Sequence, residues 1–167
     1  TTNCVSTSAS GTVTINPNPM VSVNSPTVCD GASATVTATP GVAGAYSYAW
    51  TVPTGAANPG NVATFTTTIA GVYSVIITNT ATGCISTSAS GTVSLSTNPT
   101  VTINSPTVCQ GTPATVTATP GVAGTYSYAW TVPTGVTNPG NVATFTTTVA
   151  GVYSVIITNT LTNCVSP

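Results

Sequence analysis

Five cysteines carry most of the reactive chemistry open to this chain: Cys4, Cys29, Cys84, Cys109 and Cys164. A thiolate can attack a substrate, ligate zinc or enter a disulfide. Attack needs a base beside the thiol. The chain has no His, Lys or Arg, and Asp30 is its single acid. Zinc motifs set cysteines a few residues apart, whereas successive steps here are 25 and 55 residues. Disulfides are the chemistry left, and they imply an oxidising, extracellular or cell-surface setting.

The missing charges exclude other functions. Without Lys or Arg there is no surface to neutralise phosphates, so nucleic acid is not an expected partner. One carboxylate and no His leave no general acid–base pair and no protein-built metal site. Gly31 and Gly83 read as turn residues, not a phosphate cradle. The expectation is a protein that is not an enzyme and uses no cofactor and no metal. No run approaches 18 apolar residues, so no membrane span is expected. Yet 41% of the residues are hydrophobic, enough to bury a core.

The elements that must position the cysteines come as a repeat. Cys4, Cys84 and Cys164 are spaced by 80, as are Cys29 and Cys109, and Trp50 and Trp130. Aligning 21–87 on 101–167 gives 13 differences in 67 positions, so 54 match. Residues 1–16 (TTNCVSTSASGTVTIN) match 81–96 (ATGCISTSASGTVSLS). The expected division is 1–16, a last strand of a preceding module or a donor strand; 17–97, a whole module; and 98–167, a second module lacking its final strand. Linkers fall at Asn16-Pro17-Asn18-Pro19 and Thr97-Asn98-Pro99. Their shortness predicts end-to-end modules with little free swing.

Short β-branched and aromatic runs between turn residues predict strands at 20–24, 34–39, 45–52, 62–68, 71–79 and 85–95. Nothing reads as a helix. The fold class is therefore all-β, a tandem of β-sandwich modules with an 80-residue repeat. Alternation puts Ala34, Val36 and Ala38 on one face, Tyr46, Tyr48, Trp50 and Val52 on another, and Tyr73, Val75 and Ile77 on a third. Trp50 and Trp130 are the expected core anchors, with Tyr73, Tyr153, Val75 and Val155.

Gly71-Val72-Tyr73-Ser74-Val75-Ile76-Ile77-Thr78-Asn79 resembles the penultimate strand of immunoglobulin-like domains, with its Gly-x-Tyr-x-Cys pattern. The resemblance implies that Tyr73 and Tyr153 are tyrosine-corner residues. Val75 stands where that family has a buried cysteine, with Ala38 opposite and Trp50 twelve residues beyond. Tyr48-Ala49-Trp50-Thr51-Val52-Pro53-Thr54-Gly55 is similar to the signature of the polycystic-kidney-disease type. The Cys-x-Gly start, the Tyr-x-Trp strand and the closing Thr-Gly-Cys resemble repeats of long bacterial surface proteins, of the Bacteroidota adhesin and gliding kind. That resemblance implies a stalk or filament of a surface adhesin.

Economy of sequence suggests one bridge per module, Cys29–Cys84 and Cys109–Cys164, with Cys4 pairing outside this chain. In an immunoglobulin-like sandwich, however, Cys29 and Cys84 would lie at opposite ends. Stacked modules would instead allow Cys29–Cys164 across the junction, and free thiols are a third possibility. Partners stay open in the same way. A nearly uncharged surface favours self-association into a fibre or a longer array. Donation of 5–15 into the open edge of 101–167 would join copies; a window of one longer array is the competing expectation. Tyr46, Tyr48, Tyr126 and Tyr128 would stack on a glycan or surface ligand if exposed.

Overall fold

The computed structural model describes residue 1 and residues 3–167. Seven strands build the first sandwich: β1 (Val21–Val23), β2 (Thr27–Cys29), β3 (Ala34–Pro40), β4 (Tyr46–Thr51), β5 (Thr64–Thr67), β6 (Gly71–Asn79) and β7 (Ala89–Ser96). They form a three-stranded sheet, β1-β3-β5, and a four-stranded sheet, β2-β7-β6-β4. All neighbours are antiparallel except β2, which runs parallel to β7. The second sandwich has β8 (Val101–Ile103), β9 (Ala114–Pro120), β10 (Tyr126–Thr131), β11 (Thr144–Thr147) and β12 (Ser154–Asn159). Its sheets are β11-β9-β8 and β10-β12. Both are immunoglobulin-like sandwiches, and the described residues contain no helix.

Period-two alternation decides which side chains meet between the sheets. Ala34, Val36, Ala38, Trp50, Tyr73, Val75, Ile77 and Val93 form the first core. Val116, Ala118, Trp130, Val155 and Ile157 form the second. Trp50 stands edge-on to Phe65, ring centroids 5.0 Å apart, and Trp130 does so to Phe145 at 4.9 Å. Each indole N–H is also satisfied, Trp50 Nε1 donating to the Val62 carbonyl and Trp130 Nε1 to Val142, both at 2.8 Å. A buried indole needs such a partner.

Tyr73 is fully buried, and its hydroxyl donates to the Ile69 carbonyl at 2.9 Å. The same oxygen lies 2.9 Å from Thr67 Oγ1. This is the hydrogen bond of a tyrosine corner, pinning the crossing from β5 to β6. Tyr153 makes the matching bond to Val149 at 2.8 Å, but its ring is only partly buried.

Two strand expectations change. Residues 27–29 form β2, because β7 offers them a parallel partner in which Val28 faces Leu95. The strand expected over 85–95 divides: Ile85 makes one bridge to Thr78, and the strand itself begins at Ala89. The copy of that strand near the N-terminus, 5–15, is not in strand conformation.

Candidate functional site

The place where the chain's chemistry gathers is the junction between the sandwiches. One side is the end of β2. Cys29 is opposite Ser96 in the ladder, and the Asp30 N–H donates to the Ser96 carbonyl at 2.8 Å. The other side is the turn after β12. Asn159 Oδ1 accepts from the N–H groups of Leu161 and Thr162, which bends the chain back as an Asx turn does. Asn163 then takes a positive φ of 59°, tolerable for Asn. Gly83 occupies the matching place in the first module at φ 74°. The turn delivers Cys164, which is fully buried, onto Cys29 with a Cα–Cα distance of 5.4 Å and a disulfide between them. Between the two runs the linker, where Pro99 is buried and Asn98 Nδ2 donates to the Asp30 carbonyl at 3.2 Å.

The bonded pair differs from the intradomain pairs Cys29–Cys84 and Cys109–Cys164 that sequence economy favours. The reason is strand direction. β6 and β7 are antiparallel with Gly71 opposite Val93, so Cys29, beside Ser96, lies near the start of β6. Cys84 follows Asn79 at its far end, eight residues or roughly 26 Å along the strand. Disulfide Cα atoms must approach within about 7 Å.

The three other cysteines are unpaired in the structure; Cys4 and Cys109 are exposed and Cys84 is half-buried. Cys84 repeats half of the junction. Its sulfur lies 3.6 Å from the Asn16 carbonyl, as that of Cys164 lies 3.9 Å from the Ser96 carbonyl. Both pairs are 68 residues apart, and each member is shifted by 80 from its counterpart.

A second feature lies on the second sandwich. In the first, β7 lies between β2 and β6. Among the described residues the second sandwich has no strand in that place, and its surroundings loosen accordingly. Residues 107–109, the copy of β2, are not a strand, and β12 begins at Ser154 where β6 begins at Gly71. What is left is a groove of about 570 Å³. Ile103, Val108, Val116, Val152, Tyr153 and Cys109 are among the residues that line it.

Two polar devices escape the pattern of apolar residues. Asn24 clamps β3, accepting from the Thr37 N–H at 2.7 Å and donating to the Thr35 carbonyl at 2.9 Å, and Asn104 repeats both bonds on β9. Ser86 and Ser166 are buried and accept from the N–H groups of Ile77 and Ile157. The signal for the second device is present in the sequence as Cys-x-Ser after each turn, Cys84-Ile85-Ser86 and Cys164-Val165-Ser166. The four tyrosines Tyr46, Tyr48, Tyr126 and Tyr128 are half-buried and pack against the cores.

No protein-family model matches the chain, and no curated protein matches it. Solved structures do. An I-band fragment of titin aligns with 91% of this chain and 64% of its own length, at 14% identity and a TM-score of 0.47. Titin domains z1z2 in complex with telethonin align with 92% of this chain and 95% of theirs, at 16% identity and 0.37. The N-terminal four Ig domains of Dscam1 align with 89% of this chain and 44% of theirs, at 14% identity and 0.34. The chain spans slightly less than two thirds of the titin I-band fragment.

Proposed function

We propose that this chain is a structural segment of an extracellular array, a stalk or filament of the kind that carries a bacterial surface adhesin. The observation that carries this reading is the Cys29–Cys164 disulfide across a linker of only four residues, 97–100. A bond there holds two sandwiches in one relative orientation, which is what a stalk needs and a flexible tether does not. The disulfide also agrees with an oxidising, extracellular location. Small-angle scattering of the oxidised and reduced chain tests the reading. The expected result is an elongated particle whose distance distribution broadens on reduction. An unchanged distribution would remove the stiffening role from the disulfide, and a compact oxidised particle would remove the stalk.

A second reading, a fibre subunit that polymerises by strand donation, is favoured by the groove on the second sandwich. Binding of a glycan or surface through the tyrosines draws less support. Their rings lean on the cores, and the hydroxyls of Tyr46 and Tyr126 are each engaged with a nearby carbonyl, of Val42 and Val122. Retention on a glycan array, lost on changing Tyr46 and Tyr126 to Ala, would reverse that order.

A further inference from the structure

The groove of the second sandwich has a known occupant shape, because β7 fills its counterpart in the first. There Val93 is buried against the core and is 2% exposed. Gly91 sits so close to the Asn24 carbonyl that any Cβ would collide with it. The N–H of Thr92 donates to Ser25 Oγ at 3.1 Å, and that of Ser94 to the Pro26 carbonyl at 3.0 Å. Every receiving group recurs in the second module as Asn104, Ser105 and Pro106. The sequence that fits, Ala-Ser-Gly-Thr-Val, occurs twice: in β7 at 89–93, and at 9–13. The second occurrence is in no strand, and Val13 and Ile15 are each 88% exposed.

We propose that this groove docks residues 9–16 of a second copy of the chain, and that docking seats Cys84 of the incoming copy on Cys109 of the receiving copy, where the two form a disulfide. The inference rests on the strand-donation reading and adds its register and its covalent lock. By the register of β7, Val13 enters opposite Gly151, Gly11 opposite Tyr153 and Asn16 opposite Cys109. Asn16 brings Cys84 with it, since that sulfur already lies 3.6 Å from the Asn16 carbonyl. Cys109 and Cys84 then stand as Cys29 and Cys164 do around Ser96. Joints between chains thereby copy the joint within the chain. Half-burial of Cys84, against full burial of Cys164, is what a junction lacking its other half should show.

Residues 9–16 of the same copy cannot reach the groove. Residues 17–20 alone connect Asn16 to β1, and the five steps from Asn16 to Val21 reach at most about 18 Å. The groove lies beyond the whole length of the first sandwich, whose nine-residue β6 is roughly 30 Å long. Cys4 is not the natural mate of Cys109, because it lies twelve residues before Asn16, past the opposite end of the docked strand.

The bond needs an external oxidant, a low-molecular-weight or protein disulfide RSSR. The Cys84 thiolate attacks RSSR, forming a mixed disulfide and releasing one RS⁻. The Cys109 thiolate attacks the Cys84 sulfur and displaces the second RS⁻. Two thiol protons pass to the two released thiolates, and the two electrons leave as two RSH.

The test uses the full chain in a glutathione redox buffer, read by non-reducing electrophoresis, by a chymotryptic map and by electron microscopy. The expected result is a ladder of oligomers containing a Cys84–Cys109 peptide, and fibres. Cys4→Ser should keep the ladder, Cys109→Ser should lose it, and a synthetic peptide of residues 8–18 should shorten the fibres. Gly11→Val should abolish fibres and ladder together. Fibres that grow under reducing conditions and are blocked by Gly11→Val, but never yield a Cys84–Cys109 peptide on oxidation, would overturn the covalent lock and leave strand donation standing. A chain that stays monomeric and does not take up the peptide would sink both. A Cys84–Cys109 link that persists in Gly11→Val would overturn the role of the strand in setting it.

Discussion

Cys29 and Cys164 are 135 residues apart in the chain, yet their Cα atoms lie 5.4 Å apart. The bond between them closes a loop that holds both hydrophobic cores. A cross-link of that span constrains the unfolded chain strongly, and removing such a bond typically costs about 2–5 kcal/mol. Reduction, or Cys164→Ser, should therefore lower the urea midpoint by that equivalent. It should also split unfolding into two steps, since the sandwiches then lose the tie that couples them. Tryptophan fluorescence of Trp50→Phe and Trp130→Phe variants would follow each core separately.

The two tyrosine corners should differ in worth. Tyr73→Phe removes a part-buried hydrogen bond made by a fully buried ring to the Ile69 carbonyl, a loss of about 0.5–1.5 kcal/mol. Tyr153→Phe removes the same bond beneath an open groove, where water can replace the donor. Chemical denaturation of the two variants should rank Tyr73→Phe as clearly the more damaging; equal losses would mean the groove is closed in solution.

Gly91 and Gly11 are copies with opposite surroundings. A side chain at Gly91 meets the backbone of Asn24, whereas Gly11 has nothing within 4 Å. Gly91→Val should cost about 1–3 kcal/mol through overpacking at the very least. Gly11→Val should change the stability of the isolated chain by less than about 0.5 kcal/mol. Thermal unfolding at low protein concentration, where copies do not meet, would measure both.

Charge should contribute almost nothing to this stability. Asp30 is the only acidic side chain, and there are no basic ones. Stability depends on pH only through protons exchanged on unfolding. The thermal midpoint of the oxidised chain should therefore stay level from about pH 5 to about pH 7, and from low to moderate salt. A marked dependence on either would point to groups outside this sequence.

The sequence alone determined the all-β class, the 80-residue period and most of the core. Alternation is local: a strand's side chains point to opposite faces whatever it packs against, so Val36, Trp50, Tyr73, Val75 and Ile77 could be assigned inward from spacing. The expectation of no nucleic-acid partner and no acid–base pair was equally direct, because it needs only a count of residue types. Cysteine pairing was different. Cys29 and Cys84 look like partners along the chain, whereas an immunoglobulin-like arrangement sets them at opposite ends; spacing alone left both pairings open, and the antiparallel course of β6 and β7 shows the separation in this sandwich. β2 was invisible for a related reason: Thr27-Val28-Cys29 becomes a strand only because β7, more than sixty residues later, lies beside it. In the second module the same three residue types, at 107–109, are no strand at all. Identical local sequence thus takes two states, and the tertiary neighbour decides between them, since a strand's hydrogen bonds are made to another strand and not to itself.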